Sequence, residues 1–336
     1  MSYKPKNILV TGAAGFIGCH FVREQLKKNR NIIALDSLSY AGNLANLDDV
    51  INHDHFYFIQ GSIIDQALIN SLLRDYQIET IVHFAAESHV DNSINNPGIF
   101  IQTNIVGTWV LLDAATHYWR ETYQLNAKDC RFHHISTDEV YGSLNKNDPP
   151  FSEKTAYDPS SPYSASKASA DHLVSAYHRT YGLPTTMSNC SNNYGSHQHS
   201  EKLIPKVIQN CFEETPIPIY GNGKQIRDWL YVVDHVYAID LILEKGQIGE
   251  KYNIGGNNER TNISLVETIC MMMDKLYPRQ SGKKYAELIC FTEDRLGHDF
   301  RYAIDINKIS KELAWQPTFS FDEALPETIK FYSLRT

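Results

Sequence analysis

A glycine-rich turn near the start of the chain constrains its fold more strongly than any other sequence feature. The segment Thr11-Gly-Ala-Ala-Gly-Phe-Ile-Gly18 directly follows a β-branched run at residues 8–10 and precedes a helical pattern. A strand that turns in this way into a helix directs backbone amides and the positive end of the helix dipole towards a pyrophosphate. The sequence therefore predicts a dinucleotide-binding turn, although a glycine triplet by itself also fits an ordinary tight turn. The predicted contacts are Gly12, Gly15, Phe16, Ile17 and Gly18.

Strand-like and helix-like patterns alternate through the first half of the chain. Apolar runs at residues 31–35, 56–59, 80–83 and 132–136 are each followed by a plausible helix. This alternation is typical of right-handed βαβ units, and uniformly apolar runs are typical of strands buried on both faces of a parallel sheet. We therefore predict an α/β fold: a Rossmann-type doubly wound parallel sheet with a smaller, interleaved α/β C-terminal substrate domain. The predicted boundaries are residues 1–190 for the dinucleotide-binding domain, to which residues 228–255 return, and residues 191–336 for the main part of the substrate domain.

Composition argues against several classes of function. The formal net charge of −8 over 336 residues and the lack of a Lys/Arg run argue against a duplex nucleic-acid binder. The six cysteines include no C-x-x-C pair, and His197 and His199 have no further ligand at metal-binding spacing, so we expect reduced thiols and no metal. Because we find neither an apolar signal core nor a run of eighteen apolar residues, we expect a cytoplasmic protein without membrane contact.

A single carboxylate indicates which dinucleotide the turn binds. Asp36 ends the second predicted strand, 18 residues beyond Gly18. A carboxylate there accepts hydrogen bonds from an adenosine ribose and repels a 2′-phosphate, which favours NAD over NADP. An aspartate after a strand is also a common helix cap. Weaker candidates for cofactor contact lie near the ends of later strands: Asp65, Ala85, Ala86 and Thr103.

Tyr163 and Lys167 form a candidate catalytic pair. They lie in a helical stretch, where a spacing of four residues places both side chains on one face. An unperturbed tyrosine has a pKa of about 10, so it needs positive charge to act as a base, and Lys167 and a nicotinamide ring can supply that charge. The strand that ends at Thr137, about 25 residues earlier, supplies the hydroxyl of a Ser/Thr, Tyr, Lys triad. The triad predicts hydride transfer at a carbinol carbon; the pair alone also fits an ordinary amphipathic helix.

Two adjacent acids distinguish this chain from a simple dehydrogenase. Asp138 and Glu139 directly follow Thr137 at the carboxyl end of the predicted strand. Open parallel sheets bind ligands at this edge, and simple dehydrogenation uses neither carboxylate. The pair therefore predicts a second step in which one group accepts a proton and the other donates one. The structural alternative is that the pair caps the next helix or is solvated in a loop.

These residues resemble the NAD-dependent sugar-nucleotide 4,6-dehydratases, a group of extended short-chain dehydrogenases that act on dTDP-glucose. The similarity spans nearly the whole chain, and its most specific feature is the Thr-Asp-Glu triplet at residues 137–139. The other matching segments are DSLSYAGN at residue 36, HFAAESHVD at residue 83, SNNYG at residue 191, EKLIP at residue 201, RDWLY at residue 227, YNIGG at residue 252 and DRLGHDFRYAID at residue 294.

The resemblance implies a sequence of chemical steps with a role for each catalytic residue. Tyr163 would be the base for oxidation at C4 of the glucosyl ring, with Thr137 hydrogen-bonded to the reacting oxygen and Lys167 on the cofactor ribose. Glu139 would then remove the C5 proton while a protonated Asp138 donates to the departing C6 hydroxyl. Hydride would return from bound NADH to C6, so that NAD stays on the enzyme and the product is a 4-keto-6-deoxy sugar nucleotide.

Binding residues are also implied by the resemblance. Further cofactor contacts are Ser37, Leu38, Ser62, Ile63 and Asn193. The implied contacts of the dTDP-glucose substrate are Ser88, Thr137, Asn192, Lys202, Leu203, Pro218, Ile219, Tyr220, Arg227, Asn262, Asp294, Arg295 and His298. Arg227 and Arg295 suit a diphosphate, because a guanidinium forms paired hydrogen bonds with phosphate oxygens. A homodimer is implied as well, with helices at residues 104–118 and 163–181 pairing between subunits.

Three features depart from the family pattern. Ser62 stands where an aspartate usually accompanies the adenine, Leu296 stands where a proline is usual, and residues 196–200 replace a more apolar loop. These positions border the expected nucleotide-sugar cleft. The sequence therefore constrains the base and the sugar less closely than the reaction.

Two other classes of function remain open from the sequence. A 4-epimerase or decarboxylase that acts on a UDP-sugar would share the glycines, Thr137, Tyr163 and Lys167, but an epimerase would need no acid–base pair after Thr137. A non-catalytic NAD-binding protein would usually have lost part of the triad, whereas this chain keeps every member.

Overall fold

The computed structural model describes residues 3–294 and 297–334. Its strands are β1 (Asn7–Thr11), β2 (Asn31–Asp36), β3 (Phe56–Gln60), β4 (Thr80–His83), β5 (Arg131–Thr137), β6 (Thr185–Cys190), β7 (Asn192–Tyr194), β8 (Ile217–Tyr220), β9 (Ile226–Tyr231), β10 (Lys251–Ile254), β11 (Glu259–Thr261) and β12 (Ile289–Thr292). Its α-helices are α1 (Phe16–Lys27), α2 (Gln66–Asp75), α3 (Val90–Asn95), α4 (Pro97–Phe100), α5 (Thr108–Tyr123), α6 (Pro162–Tyr181), α7 (Leu203–Phe212), α8 (Val232–Lys245), α9 (Asn262–Leu276), α10 (Asn307–Leu313) and α11 (Phe321–Ser333). Shorter 3₁₀ helices lie at Leu44–Leu47, Asp138–Tyr141 and Tyr285–Leu288, and a π-helical segment lies at Ile101–Gly107.

A seven-stranded sheet in the order β10-β6-β5-β4-β1-β2-β3 forms the centre of the protein, and all of its neighbouring strands are parallel. Successive residues of β1 are buried on opposite faces: Ile8 and Val10 pack into one core, and Leu9 packs into the other. Burial on both faces accounts for the uniformly apolar runs in the sequence. The predicted Rossmann-type α/β fold is thus confirmed.

The later part of the chain forms a third core and also adds to the large sheet. Helices α7, α9 and α11 pack with β8 and β9 around this core, beside a three-stranded sheet, β11-β9-β7, and a two-stranded sheet, β12-β8. Two elements from the later part of the chain, β10 and α8, pack with elements from its first part. Strand β10 pairs with β6, and helix α8 packs against α1. The exact domain boundary at residue 190 stays a prediction.

The helical run Pro97–Tyr123 contains α4, the π-helical segment and α5. Its length and composition alone would allow it to cross a membrane, but half of its most apolar window is buried inside the protein. It packs against α2 and α6, as a core helix does. The helix predicted from residue 104 begins within the π-helical segment.

Candidate active site

The glycine turn joins β1 to α1 at the carboxyl edge of the large sheet. Gly12 has a φ of +69°, and a Cβ atom there would lie 2.7 Å from the backbone nitrogen of Ala85. A Cβ atom on Gly18 would lie 2.2 Å from the carbonyl oxygen of Gly12. Gly15 is the N-cap of α1 and makes no side-chain capping bond. The first amides of α1 therefore remain available to an anion.

Asp36 is buried at the end of β2, and its carboxylate fixes the backbone around it. Oδ2 accepts a hydrogen bond from the backbone of Ala14 at 2.9 Å, and Oδ1 accepts one from the backbone of Leu38 at 2.8 Å. Burial raises the pKa of Asp36, while these two bonds lower it. Because each carboxylate oxygen has a second lone pair, Asp36 can support the turn and still accept a ligand hydroxyl.

One cleft along this edge of the sheet contains most of the predicted site. The predicted cofactor residues that line it are Gly12, Gly15, Phe16, Ile17, Gly18, Asp36, Ser37, Ser62, Ile63, Ala85, Ala86, Thr103, Tyr163, Lys167 and Asn193. The other predicted residues that line it are Ser88, Thr137, Asp138, Glu139, Asn192 and Lys202. Leu38 does not line the cleft. Its backbone has a φ of +53°, and its side chain packs against the core that also contains Ile8 and Val10. Glu87, Ser191 and Glu201 also line the cleft and were not predicted, although each lies in a segment shared with the family.

The π-helical segment positions polar groups behind the cleft. Thr103 lines the cleft, and the buried amide of Asn104 accepts from the Glu87 backbone at 2.8 Å and donates back to its carbonyl at 3.0 Å. Asn104 Nδ2 also donates to Ser166 Oγ at 2.8 Å, which joins the segment after β4 to α6. π-Helical turns are frequent at functional sites. Asn104 was not predicted as a site residue, because nothing local in the sequence signals such a turn.

Tyr163 and Lys167 project from the first turns of α6. A capping box formed by Ser161 and Ser164, with a proline at the first helical positions, fixes where this helix begins. Tyr163 is therefore in the first turn and Lys167 in the next. Thr137 at the end of β5 lowers the pKa of the Tyr163 hydroxyl by hydrogen bonding, and Thr137, Tyr163 and Lys167 line the same cleft.

Burial acts on both ionisable members of the triad. The Lys167 ammonium donates to the Ile135 carbonyl at 2.7 Å, and burial lowers its pKa to about 8. Burial also raises the pKa of Tyr163 well above its usual value, and the charge of Glu139 raises it further. The protein's own groups therefore do not produce the expected lowering of the tyrosine pKa, because desolvation of the phenolate dominates.

Asp138 and Glu139 lie in different environments although they are adjacent. Asp138 is 2% exposed, and its Oδ1 accepts from Thr137 Oγ at 3.3 Å. Burial raises the pKa of Asp138 well above its usual value; Glu139 and Asp228 raise it further, and Arg227 lowers it. Glu139 is half-buried and lines the cleft. The site thus pairs one carboxyl group that is suited to carry a proton with one that is open to the cleft.

A buried network behind the cleft was not predicted. Asp171 is fully buried one turn after Lys167, and it accepts hydrogen bonds from Ser136 Oγ at 2.9 Å and from the Tyr157 hydroxyl at 2.8 Å. It also lies 3.3 Å from His134 Nε2. Asp171 raises the pKa of Lys167 against the effect of burial. The four-residue spacing from Lys167 is the sequence signal that could have identified it.

Several predicted substrate residues lie outside the lining of the cleft. They are Leu203, Pro218, Ile219, Tyr220, Arg227, Asn262, Asp294 and His298. The side chains of Leu203 and Ile219 pack in the third core, so a contact from either would come from its backbone. Arg295 and Leu296 lie outside the described residues.

Arg227 is buried close to the acid pair. Its guanidinium lies 4.2 Å from the ring centre of Tyr302 and donates to the Asp299 carbonyl at 2.9 Å. It also lowers the pKa of Asp138 against burial and like charge. Farther out, His298 Nδ1 lies 2.6 Å from Asp294 Oδ1. Arg227, Asp294 and His298 are thus polar groups that lie outside the lining of the cleft.

The polar loop at residues 196–200 contributes to the cleft. Gln198 and His199 line it, and Gln198 Nε2 donates to the Asn193 carbonyl at 2.9 Å. The Ser196 carbonyl lies 3.0 Å from His20 Nε2 on α1. The loop therefore joins the glycine-turn helix to the segment after β6. Within residues 3–294 and 297–334 there is no group of three or more side chains that could hold a metal ion.

Comparison with known proteins gives consistent matches over nearly the whole chain. A profile of the GDP-mannose 4,6-dehydratase family matches residues 9–328. The dTDP-glucose 4,6-dehydratase of Haemophilus influenzae is 50% identical over 97% of this chain and 97% of its own. The structure of dTDP-glucose 4,6-dehydratase from Streptomyces venezuelae, with NAD and dTDP bound, is 41% identical, with a TM-score of 0.87 over 98% of this chain and 97% of that one. UDP-glucose 4-epimerase from Thermotoga maritima is 28% identical, with a TM-score of 0.86 over 98% and 99%.

Proposed function

The chain belongs to the GDP-mannose 4,6-dehydratase family, and from this premise we propose that it converts dTDP-glucose into dTDP-4-keto-6-deoxyglucose and water. It is an NAD-dependent lyase. The observation that carries the assignment is the acid pair, because buried Asp138 and half-buried Glu139 adjoin Thr137 in the cleft that also contains Tyr163. The fold is shared with a 4-epimerase, but moving hydride at a single carbon needs no second acid and base.

The cleft fits NAD at three points. The uncapped start of α1 offers amides to the pyrophosphate, Gly12 and Gly18 permit close approach of the backbone, and Asp36 can accept from the adenosine ribose. When bound, NAD supplies a hydride acceptor for C4 and a donor for C6. We assign the remaining cofactor contacts to Ser37, Leu38, Ser62, Ile63, Ala85, Ala86, Thr103, Asn193 and Lys167.

The side chains of the cleft accept and donate the protons of the reaction. Tyr163 takes the proton of the C4 hydroxyl, while Thr137 holds the same oxygen. The resulting 4-keto group acidifies the C5 proton, which Glu139 removes from its position on the cleft wall. Asp138, whose pKa is raised well above its usual value by burial, donates a proton to the departing C6 hydroxyl. Glu139 finally returns its proton to C5.

We assign the substrate to the continuation of the cleft into the second domain. Ser88 adjoins the sugar, and its backbone is held by Lys202, whose ammonium donates to the Ser88 carbonyl at 3.1 Å. Arg227 is assigned to the diphosphate, because a guanidinium pairs two donors with phosphate oxygens. The other assigned contacts are Asn192, Leu203, Pro218, Ile219, Tyr220, Asn262, Asp294, Arg295 and His298.

The reaction is tested with dTDP-glucose and UDP-glucose in parallel, followed by mass analysis of the sugar nucleotides. We expect loss of one water from dTDP-glucose and much slower loss from UDP-glucose, without added NAD if the cofactor copurifies. Conversion to an isomer of unchanged mass would instead identify an epimerase. NAD binding without any change in the sugar nucleotides tested would identify a non-catalytic protein.

Activity is expected to fall as pH rises through about 8, because the buried Lys167 then loses its ammonium charge. Asp171 raises this pKa, so Asp171→Asn should move the alkaline limb of the kcat/KM profile to lower pH. Tyr157→Phe is the matched control, since it removes a hydrogen bond to Asp171 and keeps the charge. An unchanged limb in Asp171→Asn would contradict this role.

We further propose that the enzyme is a homodimer. Several large apolar side chains on α4, the π-helical segment, α5 and α6 are exposed: Ile99 at 44%, Ile101 at 50%, Trp109 at 41% and Tyr181 at 46%. Exposed apolar groups on adjacent helices suit a symmetric contact with a second copy. Sedimentation should give twice the chain mass of 38.3 kDa, and Trp109→Glu should shift the protein towards monomer. A wild-type monomer would overturn this proposal.

We also propose a cytoplasmic location. All six cysteines of the chain are free thiols, and five of them are buried. Chains with several cysteines and no disulfide are typical of a reducing compartment. The same features and the net charge of −8 favour neither a membrane nor a nucleic acid as a partner.

A further inference from the structure

The proposed reaction leaves two side chains with altered proton counts. Tyr163 gains the C4 hydroxyl proton, and Asp138 loses its proton to the departing C6 hydroxyl. Glu139 gains and returns the C5 proton, so it ends unchanged, and hydride leaves C4 and returns at C6. The overall reaction converts one sugar nucleotide into one keto-sugar nucleotide and one water molecule. After each turnover one surplus proton is therefore on Tyr163 and one is missing from Asp138.

A hydroxyl group lies between these two sites. Thr137 Oγ donates to Asp138 Oδ1 at 3.3 Å, and Thr137 also lies close enough to the Tyr163 hydroxyl to lower its pKa by hydrogen bonding. The three residues are 7%, 2% and 9% exposed in the order Thr137, Asp138 and Tyr163, so bulk water has little access to them. Asp138 Oδ2 has no hydrogen-bond partner within the part of the chain that the structure describes. The Thr137 hydroxyl thus lies between the phenol and the carboxyl group.

We propose that Thr137 resets the enzyme by passing a proton from Tyr163 to Asp138 between turnovers. The Thr137 hydroxyl gives its proton to Asp138 and takes the proton of the Tyr163 phenol. Two O–H bonds break and two form, one proton moves in net terms, and no electron is transferred. This inference rests on the proposed function, because only a reaction that both deprotonates C4–OH and expels water creates the imbalance.

Electrostatic effects on Asp138 favour transfer of the proton to its carboxylate. Burial raises the pKa of Asp138, and the charges of Glu139 and Asp228 raise it further, so the carboxylate left after dehydration is a strong proton acceptor. Burial also raises the pKa of Tyr163, which opposes loss of the phenol proton. A positive nicotinamide ring, restored at the end of each turnover, opposes that effect by stabilising the phenolate.

The test compares the first turnover with later ones in Thr137→Val, which removes the hydroxyl and nearly keeps the shape of the side chain. Resting enzyme equilibrates its protons with buffer before mixing, so the first turnover needs no reset. With excess dTDP-glucose and rapid quenching, we expect a burst of one product per site, followed by a rate about 10-fold or more below the burst rate. Thr137→Ser should behave like the wild type, in which the two rates differ much less.

A second measurement separates slow reset from slow product release. A small general acid such as imidazole should raise the later rate of Thr137→Val and leave its burst unchanged. Equal slowing of the first and later turnovers would overturn the proposal and leave Thr137 as a group that only holds the C4 oxygen. A later rate of Thr137→Val that imidazole does not raise would also overturn it. If the wild type forms no keto sugar, the proposed function itself fails.

Discussion

Tyr163→Phe is expected to lower kcat for dTDP-glucose by about 10² to 10⁴-fold, the usual loss when a general base is removed. The phenol lines the cleft beside Thr137, and the substitution removes the proposed acceptor of the C4 hydroxyl proton. Because every later step needs the 4-keto group, transient formation of reduced cofactor and exchange of the C5 proton should be lost together.

The substitution should leave the fold intact. Phenylalanine keeps the ring that packs edge-on against Phe100, with centroids 6.3 Å apart. NAD affinity and the melting temperature should therefore change little, and Lys167 should remain bonded to the Ile135 carbonyl. A variant that retains more than a tenth of wild-type turnover would show that another group acts as the base.

Local patterns were sufficient to predict the first part of the fold. The glycine turn and the first five strands are read from contiguous residues, since a buried strand and its following helix each leave a periodic signal. The placement of β10 could not be read in this way. Its four residues pair with β6, whose residues lie about sixty positions earlier, and such long-range pairing has no local signature.

The positions of the candidate catalytic residues were predictable for a related reason. Thr137, Asp138 and Glu139 stand at the end of a strand whose direction the sequence already indicates, and open parallel sheets bind ligands at that end. What could not be predicted is the tertiary environment that gives each group its chemistry. The raised pKa of Asp138 depends partly on Asp228, which lies on another strand far along the chain.

The supporting groups behind the cleft show the same limit. Asn104 reaches Ser166 across 62 positions, and its orientation depends on a π-helical turn. The predicted substrate residues in the second domain lie mostly on separate strands and helices, and the resemblance to the family named them before any geometry was available. Leu203 and Ile219 illustrate the difference, because a matching position does not indicate that the side chain packs with a core.

Glu139→Gln is expected to separate oxidation from elimination. Tyr163 and Thr137 remain, so the variant should still form reduced cofactor when dTDP-glucose is added. Glutamine cannot take the C5 proton, so exchange of that hydrogen with deuterated water and release of water should each fall by about 10² to 10⁴-fold. Stopped-flow absorbance measures the first step, and mass analysis of the sugar measures the other two.

Asp138→Asn is the matched control, since it removes the proton donor but keeps the base. This variant should still exchange the C5 hydrogen, because Glu139 is unchanged on the cleft wall, while expulsion of the C6 hydroxyl becomes slow. The two variants should therefore fail at successive steps, each with reduced cofactor accumulating. If the double variant, Asp138→Asn with Glu139→Gln, turned over at the wild-type rate, neither carboxyl group would take part. The reaction would then need only the Thr137, Tyr163 and Lys167 triad, as a 4-epimerase does.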